Sequence, residues 1–188
     1  MTKDRTMYFA RRSEWRDWLK ENFDKKTEIW LVYPKKSTGK MRIQYNDAVE
    51  EALCFGWIDS TVKSLDEGHT MQRFTPRKPR SKYSQANKER LRWLADKKMI
   101  HPNLIKEVKS VINDEFIFPS DILDTIKKEE KVLKNFEAFS ESYKRIRIAY
   151  IDGARERPDE FKKRLTNFVN MTRENKRIPG YGGIDKYY

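Results

Sequence analysis

The chain has 188 residues, a formal net charge of +12 and a sequence pI near 9.6. Aromatic residues at 13% argue against a disordered chain despite 37% charged residues, and the single cysteine, Cys54, excludes an internal disulfide. No stretch approaches the ~18 consecutive apolar residues of a membrane span, and the start MTKDRTMYFARR has no signal-like apolar run, so the expected setting is the cytoplasm.

In chain order, residues 7–10 (MYFA) read as a short strand. Ser13 is expected to cap a helix whose inner face carries Trp15, Trp18, Leu19 and Phe23. Residues 27–33 (TEIWLVY) are the clearest strand by composition, and 34–40 form a basic loop holding Gly39. Asp47 opens an Asp-x-x-Glu capping signal for a helix with Ala48, Val49, Ala52 and Leu53 on one face, stopped by Gly56. Runs 57–65 and 69–75 flank Asp66-Glu67-Gly68 and predict a hairpin. This β-α-β-α-β-β order implies an α+β fold, a small antiparallel or mixed sheet with helices on one face, followed by a mostly helical C-terminal half.

From Ser84 onward the pattern is helical. Ser84 caps a helix with Leu91, Leu94 and Ala95 that runs to about residue 98, and Pro102 opens a short one with Leu104, Ile105, Val108 and Val111. Residues 113–119 (NDEFIFP) are expected to bury Phe116 and Phe118 as a linker. Ser120 is expected to cap a further helix whose pattern continues through Ile122, Leu123, Ile126, Val132, Leu133 and Phe136. Tyr143, Ile146, Tyr150 and Ile151 make the next stripe. Pro158 suits a first helical position, with Asp159 and Glu160 at the positive dipole end and Phe161, Leu165, Phe168 and Val169 facing inward. The tail IPGYGGIDKYY reads as an ordered irregular wrap or a mobile end. The expected organisation is an α+β domain over 1–112 and a helical module over 120–188, with a soft boundary at 113–119.

Two segments resemble a known family. Residues 47–94 contain ALCFGWIDS and QRFTPRKPRS, then Ser84, Asn87 and Arg90 in the spacing Ser-x-x-Asn-x-x-Arg. This stretch resembles the signature of the YdeI/OmpD-associated, bacteriocin-protection proteins. Residues 136–178 are similar to that family's C-terminal helical module. Tyr83 stands where the family more often has Trp, and residues 158–161 replace a Thr-Arg pair. The resemblance implies resistance to bacteriocins or cationic peptides and an envelope protein partner. It brings no catalytic residue and no cofactor.

Chemistry-bearing residues are few. His69, His101 and one cysteine are too few for a His/Cys zinc site, so no metal is expected, and no phosphate-binding Gly-rich loop is present. Cys54 sits on the apolar side of its helix and reads as a buried structural thiol. If the Ile58 side of the hairpin is core, Asp59 points to the other face toward Arg73 or Arg77, as a cross-strand ion pair or a general base. An enzyme of unknown reaction is the weakest of the readings.

The strongest functional signal is charge. Residues 73–98 hold ten Lys or Arg against two acids, a local +8 in a chain of +12. Within RFTPRKPRSKYSQANKER (73–90), Arg73, Arg77, Arg80, Lys82 and Arg90 can meet an anion, with Ser84 and Asn87 adding neutral donors and Trp57, Asp59 and Tyr83 bordering the ledge. The partners this implies are a phosphate-containing small molecule, a lipid head group or nucleic acid. The other reading is a solvated connector whose arginines stack on Trp57 and Tyr83. Nucleic-acid binding stands as the alternative function, favoured by charge and interleaved aromatics, though no standard motif accompanies it.

Overall fold

The computed structural model describes residues 5–78 and 81–188, and the trace divides into two compact units, 1–82 with 91–110, and 83–90 with 111–188. The fold is α+β, and its C-terminal half is mostly helical.

The first unit runs β1 (Thr6–Tyr8), α1 (Arg12–Asn22), β2 (Ile29–Pro34), α2 (Tyr45–Cys54), β3 (Trp57–Ser64) and β4 (His69–Pro76). The four strands form one mixed sheet in the order β1-β2-β4-β3, with β1 parallel to β2 and the other pairings antiparallel. All six residues of β2 are buried, as expected of a central strand with neighbours on both edges.

Helices α1 and α2 cover the sheet face that carries Ile29, Leu31 and Phe74. Trp15, fully buried, lies 5.4 Å from Phe74 and 5.3 Å from the stacked ring of Trp18, while its indole N–H donates to the carbonyl of Ala48 at 3.0 Å. The indole of Trp57 donates to the carbonyl of Phe23, also at 3.0 Å. A buried indole must find such a partner, and both do.

Two expected caps are corrected, and the expected hairpin carries a bulge. Helix α1 is capped by Arg11 rather than Ser13, because the Glu14 carboxylate accepts the N–H groups of Ala10 (2.9 Å) and Arg11 (3.3 Å). Helix α2 starts at Tyr45 after Gln44, so Asp47 is its third residue and binds Arg12 instead of capping. The hairpin alternation breaks at a bulge. Asp59 faces Phe74 and Val62 faces Gln72, an extra residue on β3 that turns Val62 and Ser64 onto the Asp59 side.

Gly56 has φ +74°, and a Cβ there would approach Leu104 at 3.3 Å, so it both ends α2 and allows close packing. Helix α3 (Gln85–Asp96) spans the division between the units, followed by a 3-10 turn over Pro102–Leu104 and α4 (Ile105–Asn113).

The second unit contains α5 (Ser120–Lys127), α6 (Glu130–Ala138), α7 (Glu141–Asp152) and α8 (Pro158–Arg173). Its core gathers Ile122, Ile126, Val132, Phe136, Tyr143, Ile148, Ile151, Phe168 and Val169, with Phe116 and Phe118 packed against it. Pro158 occupies the first turn of α8 as expected, whereas Ser120 is the first residue of α5 rather than its cap. The apolar pattern of residues 122–136 belongs to two helices, not one. Tyr150 is half-exposed, with the Arg164 guanidinium stacked 3.7 Å from its ring centroid, while Arg147 and Ile148 take the buried positions of α7. The tail is an ordered wrap. A 3-10 stretch over Tyr181–Tyr187 has Gly182 and Gly183 at positive φ and buries Ile184 and Tyr187.

Among the described residues no helix is long and apolar enough to cross a membrane.

Candidate functional site

The residues of the basic stretch take separate roles. Arg73 lies on the sheet face opposite Phe74, beside Trp30, and its guanidinium bonds the Glu28 carboxylate. That bond holds Glu28 below the usual carboxylate range. Lys63 stands over the Trp30 ring at 5.3 Å on the same face.

Arg77 braces the connector that leaves β4. Its backbone N–H donates to Gly56 O at 2.9 Å, and one guanidinium nitrogen reaches Ser81 O (3.2 Å), Ser81 Oγ (3.1 Å) and Lys82 O (3.0 Å). The Ser81 N–H donates to Lys78 O at 3.1 Å, and Lys78, Ser81 and Lys82 are exposed. Arg80 lies outside the described residues.

In the second unit Tyr83 is half-buried, and the expected cap is present, with Ser84 Oγ accepting the Asn87 N–H at 3.3 Å. Asn87 Oδ1 in turn accepts from Arg90 at 2.9 Å. Arg90 itself is buried. It donates to Gly182 O at 3.2 Å and lies over the Tyr187 ring at 5.7 Å, so the Ser-x-x-Asn-x-x-Arg spacing ends on the chain's own tail. Lys88 pairs with Asp114, and Glu89 receives a forked pair of bonds from Arg145 at 2.7 and 3.0 Å.

Trp57 and Asp59 are not on the Arg73 face. Trp57 is fully buried in the helix-covered face, and Asp59, two residues on, points the same way. The expected meeting of Asp59 with Arg73 or Arg77 is therefore corrected. The indole of Trp57 offers more apolar area to bury than Ile58, so Trp57 sets which face turns inward. Asp59 Oδ2 instead accepts from the Tyr45 hydroxyl (3.0 Å) and the Gln72 amide (2.7 Å).

Two features escaped the sequence reading. One is the group of Asp59 with Tyr45 and Gln72, with the buried hydroxyl of Tyr33 on the same sheet face. The inward position of Tyr33, two residues after Leu31 in a buried strand, was the available signal. The other is a charge network beneath α1. Arg12 binds Asp47 (2.9 Å), Glu50 (2.7 Å) and Glu51 (2.5 Å), and Arg16 binds Glu51 at 2.5 Å and Met99 O at 2.9 Å. Glu50 and Glu51 are fully buried on α2. No spacing rule pairs residues this distant in sequence.

Cys54 is buried beside this network. Burial, with the charge of Glu51, pushes its thiol up to about 12, against the opposing pull of Arg16. An unfolded cysteine titrates near ~8.5, so between these values the folded state alone keeps the proton. The stability contributed is full below that range and falls as pH rises through it. Iodoacetamide at mildly alkaline pH should leave the native chain unmodified and alkylate its one cysteine in strong denaturant. Rapid labelling of the native chain would contradict the burial.

Comparison with known proteins divides the chain in the same region. Residues 115–175 match the family described as Bacteriocin-protection, YdeI or OmpD-Associated, and residues 7–107 match one described as Domain of unknown function (DUF8412). The resemblance seen in residues 136–178 thus lies largely within the first match, while the ALCFGWIDS and QRFTPRKPRS motifs fall in the second. No curated protein and no solved structure gives a significant match. The chain belongs to the DUF8412 family through residues 7–107, and its helical segment 115–175 is similar to the bacteriocin-protection, YdeI or OmpD-associated proteins.

Proposed function

We propose that the protein is a binding protein of the bacteriocin-protection kind, and that its basic stretch 73–90 is the contact for a phosphate-bearing anion. The observation that carries this is the braced connector. Arg77 ties its guanidinium to Ser81 and Lys82, so the exposed ammonium groups of Lys78 and Lys82 stand on a held loop rather than a free arm. Holding cationic groups in place before binding removes part of the ordering cost that a flexible polycation meets. The concentration of +8 in 26 residues supplies the field. The family's description adds bacteriocin protection and, through the words OmpD-associated, an envelope protein as the partner class.

Nucleic acid is the second reading, favoured by the same charge. Both are read by heparin retention and by binding to a short DNA duplex across a salt series. The wild-type chain is expected to bind heparin at low salt, and Lys78→Glu with Lys82→Glu should weaken binding at least ~10-fold. On DNA, loss of two phosphate contacts would flatten the slope of log K against log salt by about 2. Retention of heparin without DNA affinity would select a small or lipid-borne anion. Flow-through of the wild-type chain at low salt would remove the anion reading. Unchanged sensitivity to a cationic bacteriocin after gene deletion would remove the protective role.

A further inference from the structure

Residues 34–43 (PKKSTGKMRI) hold Lys35, Lys36, Lys40 and Arg42 and no acid, a second basic surface beside the stretch 73–90. A 3-10 turn over Lys36–Thr38 opens this loop, and Gly39 follows at φ +64°, a conformation glycine adopts without strain. The loop is tied down along its length. The Lys35 N–H donates to Gly68 O at 2.8 Å, the Thr38 hydroxyl to Lys35 O at 2.8 Å and Arg42 to Pro34 O at 3.0 Å. The Tyr8 hydroxyl bonds Met41 O, and the Ile43 N–H donates to Phe9 O at 3.3 Å. On this frame Lys35, Lys36 and Lys40 are exposed, and Met41 is 67% and Tyr8 45% exposed. Strands β1, β2 and β3 end here and β4 begins here, so the exposed Leu65 stands at the same end of the sheet.

The connector of the basic stretch leaves β4 at the opposite end, after Pro76. Eight strand residues put roughly 23 Å between His69 and Pro76, more than two Debye lengths of ~8 Å, so the two charged surfaces act separately. Exposed apolar side chains bordered by ammonium groups select the partner. Single-stranded nucleic acid is met by flat rings and guanidinium planes, whereas Met41 and Leu65 have no ring and the exposed cations of the loop are lysines. An anionic bilayer uses every part, with ammonium groups at headgroup phosphates, a tyrosine at headgroup level and apolar side chains at the acyl boundary. Two acids lie at the same end. Asp66 accepts from the Gly68 N–H at 2.7 Å and pairs with His69 at 2.8 Å, while Glu67 is exposed and opposes the lysines. We propose that this end of the sheet, through Lys35, Lys36, Lys40, Met41, Tyr8 and Leu65, docks on an anionic lipid bilayer, independently of the anion contact at 73–90.

The test is co-sedimentation of the full chain with vesicles of phosphatidylcholine alone and of equal parts phosphatidylcholine and phosphatidylglycerol. Binding is expected to the anionic vesicles and not to the neutral ones. Lys35→Gln with Lys36→Gln and Lys40→Gln should lower it about a hundredfold, at roughly fivefold for each lysine. Met41→Ser leaves every charge in place and should lower it about tenfold, because the methionine no longer enters the boundary. Glu67→Gln should raise it about fivefold. Each changed side chain is exposed, so the melting temperature should stay at the wild-type value and heparin retention of Met41→Ser should be unchanged. Equal sedimentation with neutral and anionic vesicles overturns the proposal, as does wild-type binding by either loop variant. Vesicle binding lost in Lys78→Glu with Lys82→Glu but kept in both loop variants also overturns it, since the basic stretch alone would then hold the lipid. Met41-dependent vesicle binding by a chain that fails to bind heparin would support this surface while removing the reading of 73–90.

Discussion

Arg12→Ala is expected to lower the stability of the first unit by about 3–5 kcal/mol, because it removes the shared donor of buried carboxylates. Glu50 and Glu51 are 0% and 1% exposed, and Arg12 bonds both together with Asp47. Burial alone would lower the Arg12 pKa, but bonds to Glu51 and Glu50 outweigh it, so the guanidinium stays charged throughout. With Arg12 gone, Glu51 keeps Arg16, and Glu50 keeps the Asn46 amide at 2.8 Å, which places the loss toward the lower end. Arg12→Lys should recover little, since a single ammonium nitrogen lacks the separate Nε and Nη1 positions from which Arg12 reaches Glu51 on one side and Asp47 and Glu50 on the other. All five tryptophans, Trp15, Trp18, Trp30, Trp57 and Trp93, lie in the first unit, so urea unfolding followed by tryptophan emission reads this change directly. The deficit should persist in high salt, because buried pairs are weakly screened. A change within ~0.5 kcal/mol would mean the network adds nothing beyond an ordinary surface site.

Arg147→Ala should free the C-terminal wrap, at a cost on the order of 2–4 kcal/mol to the second unit. One nitrogen of this buried guanidinium donates to Ile178 O (2.5 Å) and Pro179 O (2.7 Å) and bonds the Tyr188 hydroxyl. Its plane lies over Tyr188 at 5.3 Å and Tyr143 at 5.7 Å. The Tyr143 hydroxyl accepts the Ile178 N–H at 2.9 Å, so the wrap is held at the same place by a second bond. Burial pushes the Tyr188 phenol up to about 12, which keeps its proton through the working pH range. Limited trypsin digestion gives the readout, with cleavage at Lys176 and Arg177 slow in the wild type and fast in the variant. Arg147→Lys should fall between them, keeping charge but losing the planar fork and the ring contacts. A variant as resistant as the wild type would show that Arg90, Tyr143 and the buried Ile184 and Tyr187 hold the wrap without Arg147.

The order of elements was legible because it rests on local periodicity. TEIWLVY becomes the buried central strand β2, DEG the hairpin turn, Gly56 a positive-φ stop and Pro158 a first-turn proline. Caps were less legible. Ser13 and Asp47 have the right side chains, but Glu14 already satisfies the α1 entrance and Asp47 is taken by Arg12. The basic stretch was legible as charge, while the uses of its members were not. Arg73 goes to Glu28, Arg77 to its own loop and Arg90 to the tail, and these partners lie up to ninety-two residues away.

The sequence by itself determined the fold class, the strand and helix order, the helical second half and the concentration of positive charge, since each follows from composition or from spacings within one element. Only the tertiary structure decided which way Asp59 turns, that Tyr33 keeps a buried hydroxyl on the same sheet face, and that Arg12, Arg90 and Arg147 point inward. Facing is a competition between side chains for limited buried area, and Trp57 wins it over Ile58. A buried charge depends on partners brought together by folding, such as Arg12 with Glu51 thirty-nine residues on, and no local pattern carries that information.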